Sequence, residues 1–183
     1  MDPIDFALKA LQSKKIIAYP TEAVWGLGCG VFDREALMRI LALKKRDVKK
    51  GVIIIAASFS QAIPFLALDK VPRSSLEKAL ASWPGPYTWV FPATNEAPDW
   101  ITGGKGSIAV RVTAHPIAKA ICHQHGAPIV STSANPEGLM PAKTKEEVLA
   151  YFPQGIDVIV SGELGQEQKP SAIVDVLTGK KLR

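Results

Sequence analysis

Three stretches of the chain gather residue types able to hold a charged ligand. The first is Tyr19-Pro20-Thr21-Glu22-Ala23-Val24-Trp25-Gly26-Leu27-Gly28, which follows the apolar run Ile16-Ile17-Ala18. It reads as a strand delivering a ligand loop: proline biases Tyr19 toward extended geometry, Gly26, Gly28 and Gly30 permit turns and close ligand approach, and Thr21 and Glu22 are the polar groups presented. Lys44-Lys45-Arg46-Asp47-Val48-Lys49-Lys50 then places five cations in seven residues, just ahead of the apolar strand Val52 to Ala57. Such a run is either a solvated helix end that complements the helix dipole or an anchored cluster for a polyphosphate, with lysine as a mobile point charge and arginine as a planar fork that grips two oxygens. The third stretch is Ser131-Thr132-Ser133-Ala134-Asn135-Pro136, at the end of the short strand Pro128-Ile129-Val130. Its four small polar side chains form either an ordinary Ser/Thr/Asn turn or a set of hydroxyl and amide groups beyond a strand end, where α/β folds bind ligands.

Single residues add to these. Ser107-Ile108-Ala109-Val110-Arg111-Val112 reads as a strand with an arginine in its apolar body. A buried charge is costly unless paired, so Arg111 must meet either an internal carboxylate or an anionic ligand. His115, Cys122, His123 and His125 do not make a zinc site, because His123 and His125 lie two apart on different helix faces and no second ligand pair has the usual spacing. No G-x-S-x-G elbow surrounds the serines, which argues against a serine hydrolase. Thr102-Gly103-Gly104-Lys105-Gly106-Ser107 has the wrong Gly and Lys order for a P-loop and reads as a flexible loop. A metal-dependent sugar-phosphate lyase would need an acidic cluster, and Glu22 and Asp33 alone are too few.

Regular elements must position these groups. Asp2 as N-cap, Pro3 at the first helical position and apolar Ile4, Ala7, Leu8 and Leu11 predict an opening helix that ends near Lys14-Lys15. Asp33 can cap a second helix with Leu37, Ile40 and Leu41 toward the core. Residues 60–82 look helical, broken at Pro64, with Leu76, Ala79 and Leu80 as the apolar face of the second segment. Trp83-Pro84-Gly85-Pro86 is a rigid turn, Tyr87 to Phe91 a strand, and Pro92 to Gly106 a loop. Thr113 can cap a helix that ends at Gly126, and Thr144-Lys145-Glu146-Glu147 is a capping box. Strands are expected at 157–160 and 171–176, with a loop from Ser161-Gly162 to Pro170 between them.

At 183 residues and 47% hydrophobic content the chain can bury one substantial core, which predicts a single domain over 1–183. The formal charge of +5 favours anionic partners such as nucleotides or RNA. Cys29 and Cys122 suit free thiols in a reducing compartment. The start Met1-Asp2-Pro3-Ile4-Asp5 lacks a signal-peptide pattern and the longest apolar run is too short to span a bilayer, so a soluble, cytoplasmic protein with no membrane partner is expected.

Together, Tyr19 to Gly28, Lys44-Lys45-Arg46, Ser107 to Arg111, Ser131 to Asn135 and Pro170 to Asp175 resemble the YrdC/TsaC family of threonylcarbamoyl-AMP synthases. The first stretch is similar to the family's Tyr-Pro-Thr-Asp/Glu-x-x-x-Gly-Leu-Gly, and Lys44, Arg46, Ser133 and Asn135 match its Lys-x-Arg and Ser-x-Asn pairs. Order and spacing match over essentially the whole chain. Asp47 and Thr113 stand where many members have proline, and Trp25 where tyrosine is usual.

The resemblance implies an α/β fold of the α+β type, a strongly twisted mixed sheet flanked by helices, with a concave basic face holding the site. It implies a nucleotidyltransferase that turns L-threonine, bicarbonate and ATP into threonylcarbamoyl-adenylate and pyrophosphate. Mg²⁺ accompanies the ATP, and the product feeds t6A37 modification of tRNAs reading codons that begin with A. It places threonine at Thr21 and Arg111, makes Lys44 and Arg46 catalytic and phosphate-binding, and gives Ser131, Ser133, Asn135 and Ser171 to the nucleotide. Implied partners are t6A pathway proteins of the TsaD/TsaB/TsaE type and tRNA. The rival reading is a double-stranded RNA or tRNA-binding module without catalysis of its own.

Overall fold

The computed structural model describes residues 2–183. In chain order its elements are α1 (Pro3–Gln12), β1 (Ile17–Pro20), β2 (Trp25–Gly28), α2 (Arg34–Lys44), β3 (Ile53–Ala56), α3 (Phe59–Ala62), α4 (Arg73–Ala81), β4 (Tyr87–Pro92), α5 (Asp99–Thr102), β5 (Ser107–Val112), α6 (Pro116–His125), β6 (Ile129–Ser133), α7 (Lys145–Tyr151), β7 (Val158–Ile159) and β8 (Ala172–Asp175). The eight strands form one mixed sheet in the order β7-β1-β2-β6-β3-β5-β4-β8. β3 runs parallel to β5 and antiparallel to β6, so the polar ends of β5 and β6 flank a central apolar strand.

Strand alternation divides the core. Ile54 and Ala56 of β3 and Ile108 and Val110 of β5 face the larger apolar layer, which α2 supplies with Leu37, Ile40 and Leu41. Ile17, Tyr19, Ile55 and Ile129 face the opposite side, where α1 and α6 cover them with Ala7, Leu11, Ala118 and Ile121. Ser107, Ala109 and Arg111, offset by one residue from the apolar positions of β5, line an open cavity instead. Period-two geometry thus turns one sequence pattern into a dry face and a wet one.

The helix signals hold with exceptions. The Asp2 side chain accepts from Ile4 N at 2.9 Å, so α1 starts where expected. Asp33 precedes α2 but makes no capping bond with its side chain. Thr113 does not cap α6; His115 takes that place and accepts from Ala118 N at 3.5 Å, because Thr113 instead donates to Glu22 Oε1 at 2.7 Å. In the 144–147 box Thr144 accepts from Glu147 N at 3.1 Å, while Glu147 reaches back one residue further, to Lys143 N. Leu80 is 38% exposed and does not serve the core face assigned to it.

Three loop expectations are corrected. Gly26 and Gly28 lie within β2, not in a turn, and the loop proper is only residues 21–24. The need for glycine is packing: a Cβ at Gly28 would stand 2.5 Å from Val130 O and 2.8 Å from the Tyr19 ring. Ser131, Thr132 and Ser133 belong to β6 instead of following it. The 92–106 segment contains α5 and is tied to its neighbours, with Val52 N donating to Ile101 O at 2.9 Å and Gly103 packed so closely on Lys49 O that a Cβ would sit 2.5 Å away. No helix among the described residues is long and apolar enough to cross a membrane.

Candidate active site

The α1/α6 layer covers only part of its side of the sheet. Beyond it opens a cavity of about 400 Å³, within the range of small-molecule sites. Its wall includes Thr21 and Glu22 from the β1–β2 loop, Arg46, Lys50 and Gly51, Lys105, Ala109 and Arg111 of β5, Ser131 to Ser133 of β6, and Lys169, Ser171 and Arg183. Among the described residues, six lining side chains are cationic (Arg46, Lys50, Lys105, Arg111, Lys169, Arg183) and one, Glu22, is a carboxylate.

Glu22 and Arg111 settle the question that the arginine posed. Arg111 Nη1 lies 2.9 Å from Glu22 Oε2, with both side chains nearly inaccessible. Burial alone would raise the Glu22 carboxyl, but Arg111, with hydrogen bonds from Thr113 and Ala114 N, holds it below the ordinary carboxylate range. Arg111 still reaches the cavity wall, and its Nε is buried without a partner. The arginine therefore meets an internal carboxylate and retains donor capacity for an anion.

The hydroxyls are pre-oriented. Thr21 Oγ1 donates to Val24 O at 2.6 Å, so it offers only acceptor lone pairs to the cavity. Ser171 Oγ shares a 2.7 Å bond with Thr88, and Arg183 Nη2 donates to Ser171 O at 3.1 Å. A strap, residues 160–170, crosses the β1–β2 loop: Gly165 N donates to Thr21 O at 2.9 Å and Glu167 N to Glu22 O at 3.0 Å. His115 Nε2 bonds Glu163 O at 3.0 Å and anchors the same strap.

The Lys-x-Arg pair separates. Arg46 lines the cavity, and its Nη2 donates to Gly51 O at 3.0 Å while Nε is buried without a partner. Lys44 is 2% exposed and absent from the wall. Its ammonium donates to the carbonyl oxygens of Ser133 and Asn135, the latter at 2.7 Å. Burial, then the nearby Arg46, pushes it down to about 8 against the pull of Glu137. The expected direct contact of Lys44 with phosphate thus differs from its placement. Asn135 is also off the wall, its amide donating to Leu139 O at 2.8 Å.

Thr21, Arg46, Arg111, Ser131, Ser133 and Ser171 are brought together on the wall, as the sequence places them. Lys50 of the cation run joins them, as do Lys105, Lys169 and Arg183, to which the sequence assigns no ligand. Lys50 stands in the cation run and Lys105 among glycines, which are usable signals, but Arg183 belongs to the basic tail Lys180-Lys181-Leu182-Arg183, which reads as a solvated charge run. Both cysteines are free and buried, and desolvation pushes each thiol up to about 12, which leaves neither as a nucleophile.

The model of the Sua5/YciO/YrdC family, described as "Telomere recombination", matches residues 9–183. A threonylcarbamoyl-AMP synthase of Cellvibrio japonicus is 48% identical over 181 residues, covering 98% of this chain and 94% of that one. Among solved structures, P. abyssi Sua5 in complex with L-threonine is 33% identical with a TM-score of 0.87, over 94% of this chain and 50% of that one. A doubly substituted P. abyssi Sua5 gives 32% identity and a TM-score of 0.92 over 100% of this chain and 57% of that one. The chain thus spans about half the length of Sua5 and nearly all of the synthase it matches.

Proposed function

Since the chain belongs to the Sua5/YciO/YrdC family, we propose that it is a threonylcarbamoyl-AMP synthase, a nucleotidyltransferase that makes L-threonylcarbamoyladenylate and pyrophosphate from L-threonine, bicarbonate and ATP. The observation that carries this reading is the cavity wall, where five cations free of Glu22 stand beside a sixth, Arg111, that keeps a donor in reserve. Such a wall suits a triphosphate together with a carboxylate.

In this reading the amino acid lies between Thr21 and Arg111. The lone pairs of Thr21 suit the substrate's amine, and Arg111 suits its carboxylate. Arg46, with Lys50, Lys105, Lys169 and Arg183, holds phosphate oxygens, and Ser131, Ser133 and Ser171 supply neutral hydrogen bonds to the nucleotide. Bicarbonate takes up a proton and loses water to give carbon dioxide, and threonine's neutral amine adds to that carbon, forming the N–C bond of a carbamate as its N–H proton passes to solvent. The carbamate oxygen attacks the α-phosphorus, the new C–O–P linkage forms as the P–O bond to pyrophosphate breaks, and the electron pair leaves on pyrophosphate. Catalysis comes from orientation and from cations matched to the departing charge. Mg²⁺ enters as part of the MgATP substrate; Glu22, the wall's carboxylate, is committed to Arg111, so hydroxyls of β6 would be its protein neighbours.

The same reading treats residues 1–183 as one unit that works in the cytoplasm and passes its adenylate to t6A proteins of the TsaD/TsaB/TsaE type for attachment to tRNA. Mass spectrometry of a reaction containing ATP, Mg²⁺, bicarbonate and L-threonine tests it. A threonylcarbamoyl-adenylate that disappears when threonine is omitted is expected, and AMP with no threonine-bearing product would refute the reading.

A further inference from the structure

We propose that Lys44 is a positioning residue: its ammonium fixes the backbone of Ser133–Asn135, and through it the Ser133 hydroxyl on the cavity wall, without touching the nucleotide. The proposal rests on the reading of this cavity as an ATP site.

The geometry is a clamp with two ends. The side chain of Lys44 holds the Ser133 and Asn135 carbonyls and lies 3.5 Å from Asn135 Oδ1. Its own carbonyl accepts from Glu137 N at 2.7 Å. Residues 133–137 are therefore gripped from the C-terminal turn of α2 by both the side chain and the backbone of one residue. On the opposite side Ala134 N donates to Trp25 O at 2.8 Å, which fastens the same segment to β2.

Chain direction explains why the two members of the Lys-x-Arg pair differ. Lys45 takes the left-handed conformation, with φ 54° and ψ 40°, and this reversal sends Arg46 to the cavity while Lys44 stays behind β6. An ammonium has three donors, and the acceptors around Lys44 occupy them. Moving it to a phosphate would leave two carbonyls without their charged donor, and an unmade bond at a buried acceptor is more costly than the bond is worth when formed.

A double-mutant cycle on MgATP affinity, measured by calorimetry with L-threonine present, tests this. Lys44→Met should weaken ATP about tenfold in the wild-type background but less than twofold in Ser133→Ala, because the group it positions is already gone. Combined with Arg183→Ala, which removes a wall cation that does not act on Lys44, Lys44→Met should keep its full tenfold effect. A tenfold loss from Lys44→Met in the Ser133→Ala background would overturn the proposal and return Lys44 to the ligand. Lys44→Gln, whose amide still donates to one carbonyl, replaces Lys44→Met in the same cycle where the latter fails to fold. A wild type that binds no ATP would overturn the ATP reading as well, a result distinct from ATP binding with an uncoupled cycle.

Discussion

Arg111 sits between Val110 and Val112 in the body of a strand, and Glu22 is what makes that position tolerable. Removing one partner of a buried pair leaves the other uncompensated, so Glu22→Gln should destabilise the protein at pH 7 by roughly 3–5 kcal/mol. The sign of the pH effect follows from the depressed Glu22 carboxyl: its stabilisation is present above the ordinary carboxyl value of 4.5 and is lost as pH falls through the lower folded value. Thermal melts from pH 7 to pH 2 should show that acid-side loss in the wild type and a flatter profile in Glu22→Gln; equal stability at pH 7 would show that the pair carries nothing. Arg111 was legible as a charge needing a partner because an arginine in an apolar strand is costly by itself. Its partner was not, since Glu22 lies 89 positions away and only the β1–β2 loop brings it near. Arg183 illustrates the limit more sharply: in sequence it is one of three cations in a tail that reads as solvated, yet it lines the cavity and donates to Ser171 O. Arg183→Ala should weaken ATP about ten- to hundred-fold, the equivalent of roughly 1.5–3 kcal/mol for a charge-assisted contact, and an unchanged affinity would remove Arg183 from the site.

At the scale of elements, helix ends were readable where a cap acts locally, as at Asp2 and Thr144, and misread where tertiary demand won, as when Glu22 drew Thr113 away from α6. The glycines of the first stretch were misread for a related reason. Their spacing suggests turns, whereas Gly28 is needed because β6 and the Tyr19 ring press against β2. Gly28→Ala should cost about 1–3 kcal/mol through overpacking, which at this chain length lowers Tm by about 2–4 °C per kcal/mol; a Tm within error of the wild type would contradict the packing account. The strap makes a different prediction. A Cβ at Gly165 would lie 2.8 Å from Glu22 O and 2.9 Å from Glu22 Cα. Gly165→Val should therefore push the strap off the loop that carries Thr21 and lower threonine affinity several-fold. The same clash with backbone should also cost stability, by the roughly 1–3 kcal/mol typical of overpacking. Unchanged threonine affinity would uncouple strap from site.

At the scale of the whole molecule, the cavity wall carries a charge excess as large as that of the entire chain. Of 22 lysines and arginines and 17 carboxylates, six and one respectively line the cavity, which leaves sixteen of each elsewhere. The net charge was visible in composition, but its concentration on one concave wall depends on a sheet assembled from strands distant in sequence. Affinity for duplex RNA that uses the cavity's cations must compete with a phosphate ligand held there. Saturating MgATP should then weaken such binding at least tenfold, whereas RNA binding indifferent to MgATP would place it on another surface. The central claim, that the basic cavity forms an adenylate from threonine, is tested most directly by pyrophosphate release from the purified protein with MgATP and bicarbonate, with and without L-threonine, beside Arg46→Ala. Release that requires threonine and falls about ten- to hundred-fold in the variant is the expected result. Release independent of threonine, or none from correctly folded protein, would contradict it.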